Sequence, residues 1–68
     1  MKFAGAFKRL LKKMGTTRYR VALEGDIPHS TMNKWFHGET EPRWTDLKKL
    51  AKGFNMSRKQ LVETLESF

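Results

Sequence analysis

His29, Ser30 and His37 are the residues of this 68-residue chain that come closest to a catalytic or metal-binding arrangement. His29 stands beside Ser30, but adjacent residues at a helix start do not point at one another. No carboxylate is spaced to orient the histidine as a general base. His37 follows eight residues after His29, with no cysteine in the chain and no obvious third ligand for zinc. We therefore expect no enzymatic activity, no metal and no cofactor.

Basic residues are the more informative polar group. The chain carries 14 Lys and Arg against 7 Asp and Glu, a net charge of +7. Residues 1–34 hold eight basic and two acidic residues, whereas residues 35–68 hold six and five. This much positive charge in a small domain predicts a polyanionic partner, contacted mainly by the N-terminal half. An apolar fraction of 38% is too high for a disordered tail.

Helical periodicity accounts for the apolar residues, and no stretch alternates as a β-strand would. The first helix is predicted from one apolar stripe, made of Phe3, Phe7, Leu10, Leu11 and Met14. Gly15 is expected to end this helix in the left-handed conformation. The pattern predicts an all-α chain.

Four further helices follow from caps and breakers. They are expected at about 18–24, 28–37, 44–54 and after residue 57. The Thr17 hydroxyl can cap the second helix, and Ser57 with Gln60 forms a capping box for the fifth. Gly25 and Asp26 mark a turn, because both tolerate positive φ. The expected architecture is a single domain of five short helices.

The segment TRYRVALEGDIPHSTMNKWFHG combines two short helices with a tight turn, the pattern of a helix-turn-helix at about 17–37. Asp26 would take the left-handed turn position, and Ala22 is small where helices cross. The third helix opens with small or hydrogen-bonding side chains suited to the major groove. Ile27, Met32 and Trp35 would supply its inner face.

Three stretches, T-R-Y-R-V-A, I-P-H-S-T-M-N-K-W and P-R-W-T-D-L-K-K-L-A-K-G-F, resemble the phage repressor and Cro family, often called XRE-type. The resemblance covers about residues 3–66. It implies one repressor-like helix-turn-helix domain over residues 1–68, which binds double-stranded DNA sequence-specifically to regulate transcription. The chain departs from the family at Gly25-Asp26, where a small residue followed by glycine is usual.

Matching the family motif places His29, Ser30 and Lys34 at positions that usually read bases, with Thr31 and Asn33 as second choices. Lys34 can donate to guanine O6 and N7, and Asn33 could pair with adenine N6 and N7. Such contacts specify sequence, whereas phosphate contacts only position the protein.

Phosphate contacts are expected from two other places. Arg18 and Arg20 lie in the first turn of the second helix, and the resemblance implies that the first of these positions meets a backbone phosphate or a neighbouring base contact. Thr40 and Arg43 flank the start of the fourth helix, whose N-terminus attracts anions. Trp44, like Trp35, is expected in the core rather than as a stacking platform.

A dimer is expected on a palindromic operator, because one recognition helix reads too few base pairs for a unique site. Apolar residues of the last helix are the candidates for its interface: Val62, Leu65 and Phe68. We expect a weak homodimer or a monomer in free solution, completed on DNA. The expected location is the cytoplasm of a bacterial or phage-infected cell, at the nucleoid when bound.

Two alternatives stay open. Residues 1–15 form a basic amphipathic helix, which by itself is typical of a membrane-surface peptide, although no transmembrane or export segment is visible. An antitoxin-like module would keep the fold and bind both DNA and a protein partner, the latter through the last helix.

Overall fold

A computed structural model describes residues 2–68, which form five α-helices and no β-strand. The helices are α1 (Phe3–Met14), α2 (Arg18–Gly25), α3 (His29–Phe36), α4 (Trp44–Gly53) and α5 (Arg58–Glu66). The predicted all-α, five-helix architecture is confirmed, with bounds within about one residue of those expected. Of the predicted domain 1–68, Met1 lies outside the described residues.

The helix ends are set by local capping. The Thr17 hydroxyl accepts a hydrogen bond from the Arg20 backbone N–H at 3.3 Å, and Ser57 Oγ accepts from the Gln60 N–H at 3.1 Å. Each satisfies an N–H that has no partner within its own helix. Gly15 ends α1 at φ 65°, in the left-handed region, as predicted.

All five helices contribute to one apolar core. Its fully buried side chains are Phe7, Leu10, Val21, Met32, Leu50 and Leu61. Phe7 stacks on Phe3 with 5.1 Å between ring centroids and meets Phe36 and Phe54 edge-on at 6.5 and 6.0 Å. The apolar stripe of α1 is thus buried against the other helices. Within residues 2–68, none of the helices has the length and apolar character needed to cross a bilayer.

Two residues expected to pack inward are exposed instead. Met14 is 47% exposed and Trp44 60%, and Tyr19 on α2 is also exposed, at 52%. Met14 is the last residue of α1, and Trp44 is the first residue of α4, where fewer neighbouring helices surround a side chain. The Arg58 guanidinium covers the Trp44 ring at 4.4 Å from its centroid. Trp35, by contrast, is buried as expected.

A close helix contact joins α2 to α4 through two glycines. A Cβ on Gly25 would lie 2.5 Å from the carbonyl oxygen of Lys49, and one on Gly53 would lie 2.5 Å from that of Val21. The pairs 21–53 and 25–49 run in opposite directions, so the two helices pack antiparallel. Gly25 is therefore required by this contact and not by positive φ; Asp26 alone takes the left-handed turn position, at φ 56°.

The loop between α3 and α4 returns to the start of α1. The Glu41 carboxylate accepts a hydrogen bond from the Phe3 backbone N–H at 3.4 Å. A negative charge at this helix N-terminus is favourable, because it meets the positive end of the helix dipole. Glu41 thus has a structural partner at the start of α1.

Candidate nucleic-acid interface

The outer face of α3 presents polar side chains to solvent. His29, Ser30 and Lys34 are exposed, whereas Met32 and Trp35 are buried in the core. Residues 29, 30, 33 and 34 fall on one side of a helix and residues 32 and 35 on the other, because a turn takes 3.6 residues. The core residues therefore hold α3 in place and leave its outer face free for a ligand.

Thr31 and Asn33, the second-choice base contacts, are only partly accessible. Both are half-buried, and Asn33 is already bonded to a neighbouring helix. Of the five candidates on α3, three side chains are therefore exposed and two are partly buried.

Arg18 joins α2 to α3 at this face. Its Nε–H donates to Asn33 Oδ1 at 3.0 Å, and Nη2 donates to the Tyr19 hydroxyl at 3.0 Å. Its guanidinium carbon lies 4.2 Å from the ring centroid of Phe36 and 4.6 Å from that of Tyr19. A side chain held by two hydrogen bonds and two rings is fixed in place. From sequence, Arg18 and Asn33 are expected to make separate DNA contacts, and their bond is not predicted.

Two further residues beside this cluster were missed. The Tyr19 ring lies 5.8 Å from the His29 ring, centroid to centroid. The Lys8 ammonium, from α1, lies 4.9 Å from the Phe36 centroid. The signal for Tyr19 was its place between two arginines at a helix start. No local signal marked Lys8, because only the packing of α1 on α3 brings it here.

Arg20 lies apart from this cluster. It forms an ion pair with Glu24 one helical turn later, with 3.7 Å between Nε and Oε1. The two side chains are 71% and 50% exposed, so the pair contributes little to stability. Arg20 is accessible to a phosphate, but it would share its charge with the glutamate.

Thr40 and Arg43 are exposed in the loop before α4. The Thr40 backbone N–H donates to the carbonyl oxygen of Lys34 at 3.4 Å, which places this loop against the end of α3. The Arg43 N–H at the start of α4 donates to the Asp46 carboxylate at 3.0 Å. A carboxylate thus already occupies the helix N-terminus expected to attract a phosphate.

The residues proposed for a dimer interface lie in different environments. Leu65 is 2% exposed and belongs to the core, so it offers little surface to a partner. Val62 is half-buried in an apolar groove beside Phe3 and Trp44. Phe68, 39% exposed, lies near Arg9 on α1 and beneath the Lys13 ammonium.

The structure offers no candidate metal centre within residues 2–68, since no three potential ligands come together there. The helix-turn-helix family model matches residues 7–61, which include all of α2, α3 and α4. Neither a curated protein nor a solved structure matches the chain significantly.

Proposed function

Because the chain belongs to the XRE-type helix-turn-helix family of DNA-binding transcriptional regulators, we propose that it recognises one specific operator as a repressor or Cro-like regulator. The observation that carries this proposal is the outer face of α3, where polar side chains are free while Met32 and Trp35 fix the helix. We further propose that it acts on DNA in the cytoplasm of a bacterial or phage-infected cell.

In this proposal α3 enters the major groove and its free side chains read base edges. Lys34 donates to guanine, and His29 and Ser30 contact the bases nearest the helix start. All three are exposed, and their side chains make no hydrogen bond to residues 2–68. They therefore reach DNA without breaking a hydrogen bond inside the protein.

Phosphate contacts hold α3 in register. Arg20 and Arg43 are exposed cations on either side of α3 along the chain, and Thr40 lies beside the α3 C-terminus. Arg18 retains Nη1, whose N–H groups have no partner among residues 2–68. These groups supply charge and hydrogen bonds without sequence preference.

Selection from a pool of random duplexes tests the proposal. We expect enrichment of one sequence, with binding that weakens as salt rises because phosphate contacts release counterions. The slope of log K against log salt should be about −0.9 for each phosphate neutralised, with at least ~4 phosphates per subunit. Binding without enrichment would exclude sequence recognition, and a slope near zero would exclude the electrostatic contacts.

We also propose that two copies bind a palindromic operator, with their α3 helices one turn of DNA apart, about 34 Å. The groove holding Val62 and Trp44 is the best-supported contact, because it is apolar and accessible. Its small size favours a weak dimer that forms fully only on DNA.

Sedimentation with and without the operator tests the dimer. We expect monomer or weak dimer in free solution and two copies on the full operator. Val62→Asp should leave one copy bound to a half-site while preventing the two-copy complex. One copy on the full operator at high protein concentration would contradict the proposal.

A further inference from the structure

The bond between Arg18 and Asn33 fixes which atoms of Asn33 can face DNA. A guanidinium has only donors, so the atom 3.0 Å from Arg18 Nε must be the carboxamide oxygen. The amide nitrogen then points away from Arg18. This assignment follows from chemistry alone and needs no choice between the two amide orientations.

The amide nitrogen of Asn33 is accessible. It donates to no group among residues 2–68, and no side-chain nitrogen or oxygen of these residues is both buried and without a partner. Nδ2 of Asn33 has no partner, so it cannot be one of the buried atoms, and it must therefore reach solvent. It lies on α3 one residue before Lys34, at the margin of the proposed groove-entering face.

Arg18 is itself held firmly enough to impose this orientation. Its guanidinium stacks between the rings of Phe36 and Tyr19, at 4.2 and 4.6 Å from their centroids, and bonds the Tyr19 hydroxyl. Rotation of the Asn33 amide would place its N–H groups against a cation. The stacked arginine therefore keeps Asn33 in one orientation.

We infer that Arg18 is a positioning residue for sequence recognition, which makes Asn33 present N–H donors to the major groove. This inference rests on the proposed function. Guanine offers two acceptors there, N7 and O6, whereas cytosine offers the N4 donor group. Asn33 thus favours guanine and disfavours cytosine at its base pair.

This assignment replaces the bidentate adenine contact predicted from sequence. That contact needs Oδ1 and Nδ2 of the asparagine to face the base together. In this chain Oδ1 faces Arg18. Because the N–H groups of Arg18 Nη1 remain unpaired among residues 2–68, Arg18 can also bind a DNA phosphate. The same side chain would then hold the protein in register on the DNA backbone and orient Asn33 toward its base.

Random-duplex selection on four variants tests the inference. Asn33→Ala identifies the base pair that Asn33 reads, as the position whose preference is lost. Arg18→Lys keeps the positive charge but lacks the planar fork that clamps the amide. At the identified position it should reduce the guanine-over-cytosine preference from about tenfold to within about twofold, while the salt slope stays unchanged.

Asn33→Asp is expected to reverse the base preference, whereas Arg18→Lys only weakens it. It retains an acceptor for Arg18 and presents a second acceptor to the groove, so the preference should switch from guanine toward cytosine. Arg9→Lys is the matched control, since Arg9 is exposed on α1 near Phe68, away from Arg18 and Asn33, and it should change no base preference. Thermal melting of each variant reports whether it is folded.

The results separate the inference from the function on which it rests. A wild-type protein that enriches no sequence overturns both. An enriched sequence whose preferences are unchanged in folded Arg18→Lys, or in Asn33→Ala, overturns the inference and leaves operator binding standing. If Arg18→Lys fails to fold, Asn33→Asp decides, because continued preference for guanine there excludes the donor assignment.

Discussion

α2 packs against α4 on one side and against α3 on the other, and the two contacts use opposite chemistry. Against α4, Gly25 and Gly53 remove side chains so that backbone meets backbone. Against α3, Arg18 spans the gap with a long charged side chain that bonds Asn33 and stacks on Phe36. The first contact has no room for an added methyl group, and the second is partly open to solvent.

This difference indicates how one short helix can serve both stability and binding. The glycine contact fixes where α2 lies, and therefore where the turn at Asp26 delivers α3. The arginine contact orients the Asn33 side chain on α3 and lies outside the buried core. Substitutions on the two faces should therefore affect different measurements.

The largest effect is expected on the glycine side. Gly53→Ala and Gly25→Ala each place a Cβ 2.5 Å from a backbone oxygen, so the helices must separate. We expect each to lower the free energy of unfolding by about 2–3 kcal/mol, as overpacked cores do. Urea unfolding monitored by circular dichroism measures this.

Gly5→Ala is the matched control, because an added Cβ there meets nothing within 4 Å. It should raise stability by about 0.5–1 kcal/mol through helix propensity alone. Equal effects at positions 5, 25 and 53 would mean that the α2–α4 contact is looser than described.

On the α3 side, Lys34→Ala and His29→Ala should leave unfolding unchanged, since both residues are exposed. Each should cost roughly 1–3 kcal/mol of discrimination at the base pair it reads. Competition binding with single-base operator variants measures the loss. Retained specificity in both variants would place the reading face elsewhere.

Thr17→Ala tests the N-terminal cap of α2, the helix that packs against both α3 and α4. Removing the hydroxyl leaves the Arg20 N–H without its capping partner, at a cost of about 1 kcal/mol of stability. Because the Thr17 hydroxyl bonds only the Arg20 backbone N–H, base preference should persist. A change in preference at unchanged stability would show that the helix start contributes to recognition directly.

Arg20→Ala should give the smallest effect on stability, within about 0.5 kcal/mol, because its ion pair with Glu24 is exposed. If Arg20 contacts a phosphate, the slope of log K against log salt should become about 1 unit shallower, equally for all sequences. An unchanged slope would remove Arg20 from the DNA-contacting set.

The five helices could be predicted from local sequence, because their limits depend on residues close together in the chain. Thr17 and Ser57 cap the helices they precede, Gly15 ends α1, and Asp26 takes the left-handed turn. The polar outer face of α3 follows from helical period alone. The family resemblance then pointed to DNA, and the match over residues 7–61 supports it.

Only the tertiary structure decided which residues meet across helices. Arg18 and Asn33 are fifteen residues apart, and each suited a separate DNA contact until the packing of α2 on α3 joined them. Gly53 and Trp44 likewise had no local signal for close approach or exposure. Capping and periodicity act within one turn of helix, whereas these contacts depend on how whole helices cross, which no short stretch of sequence specifies.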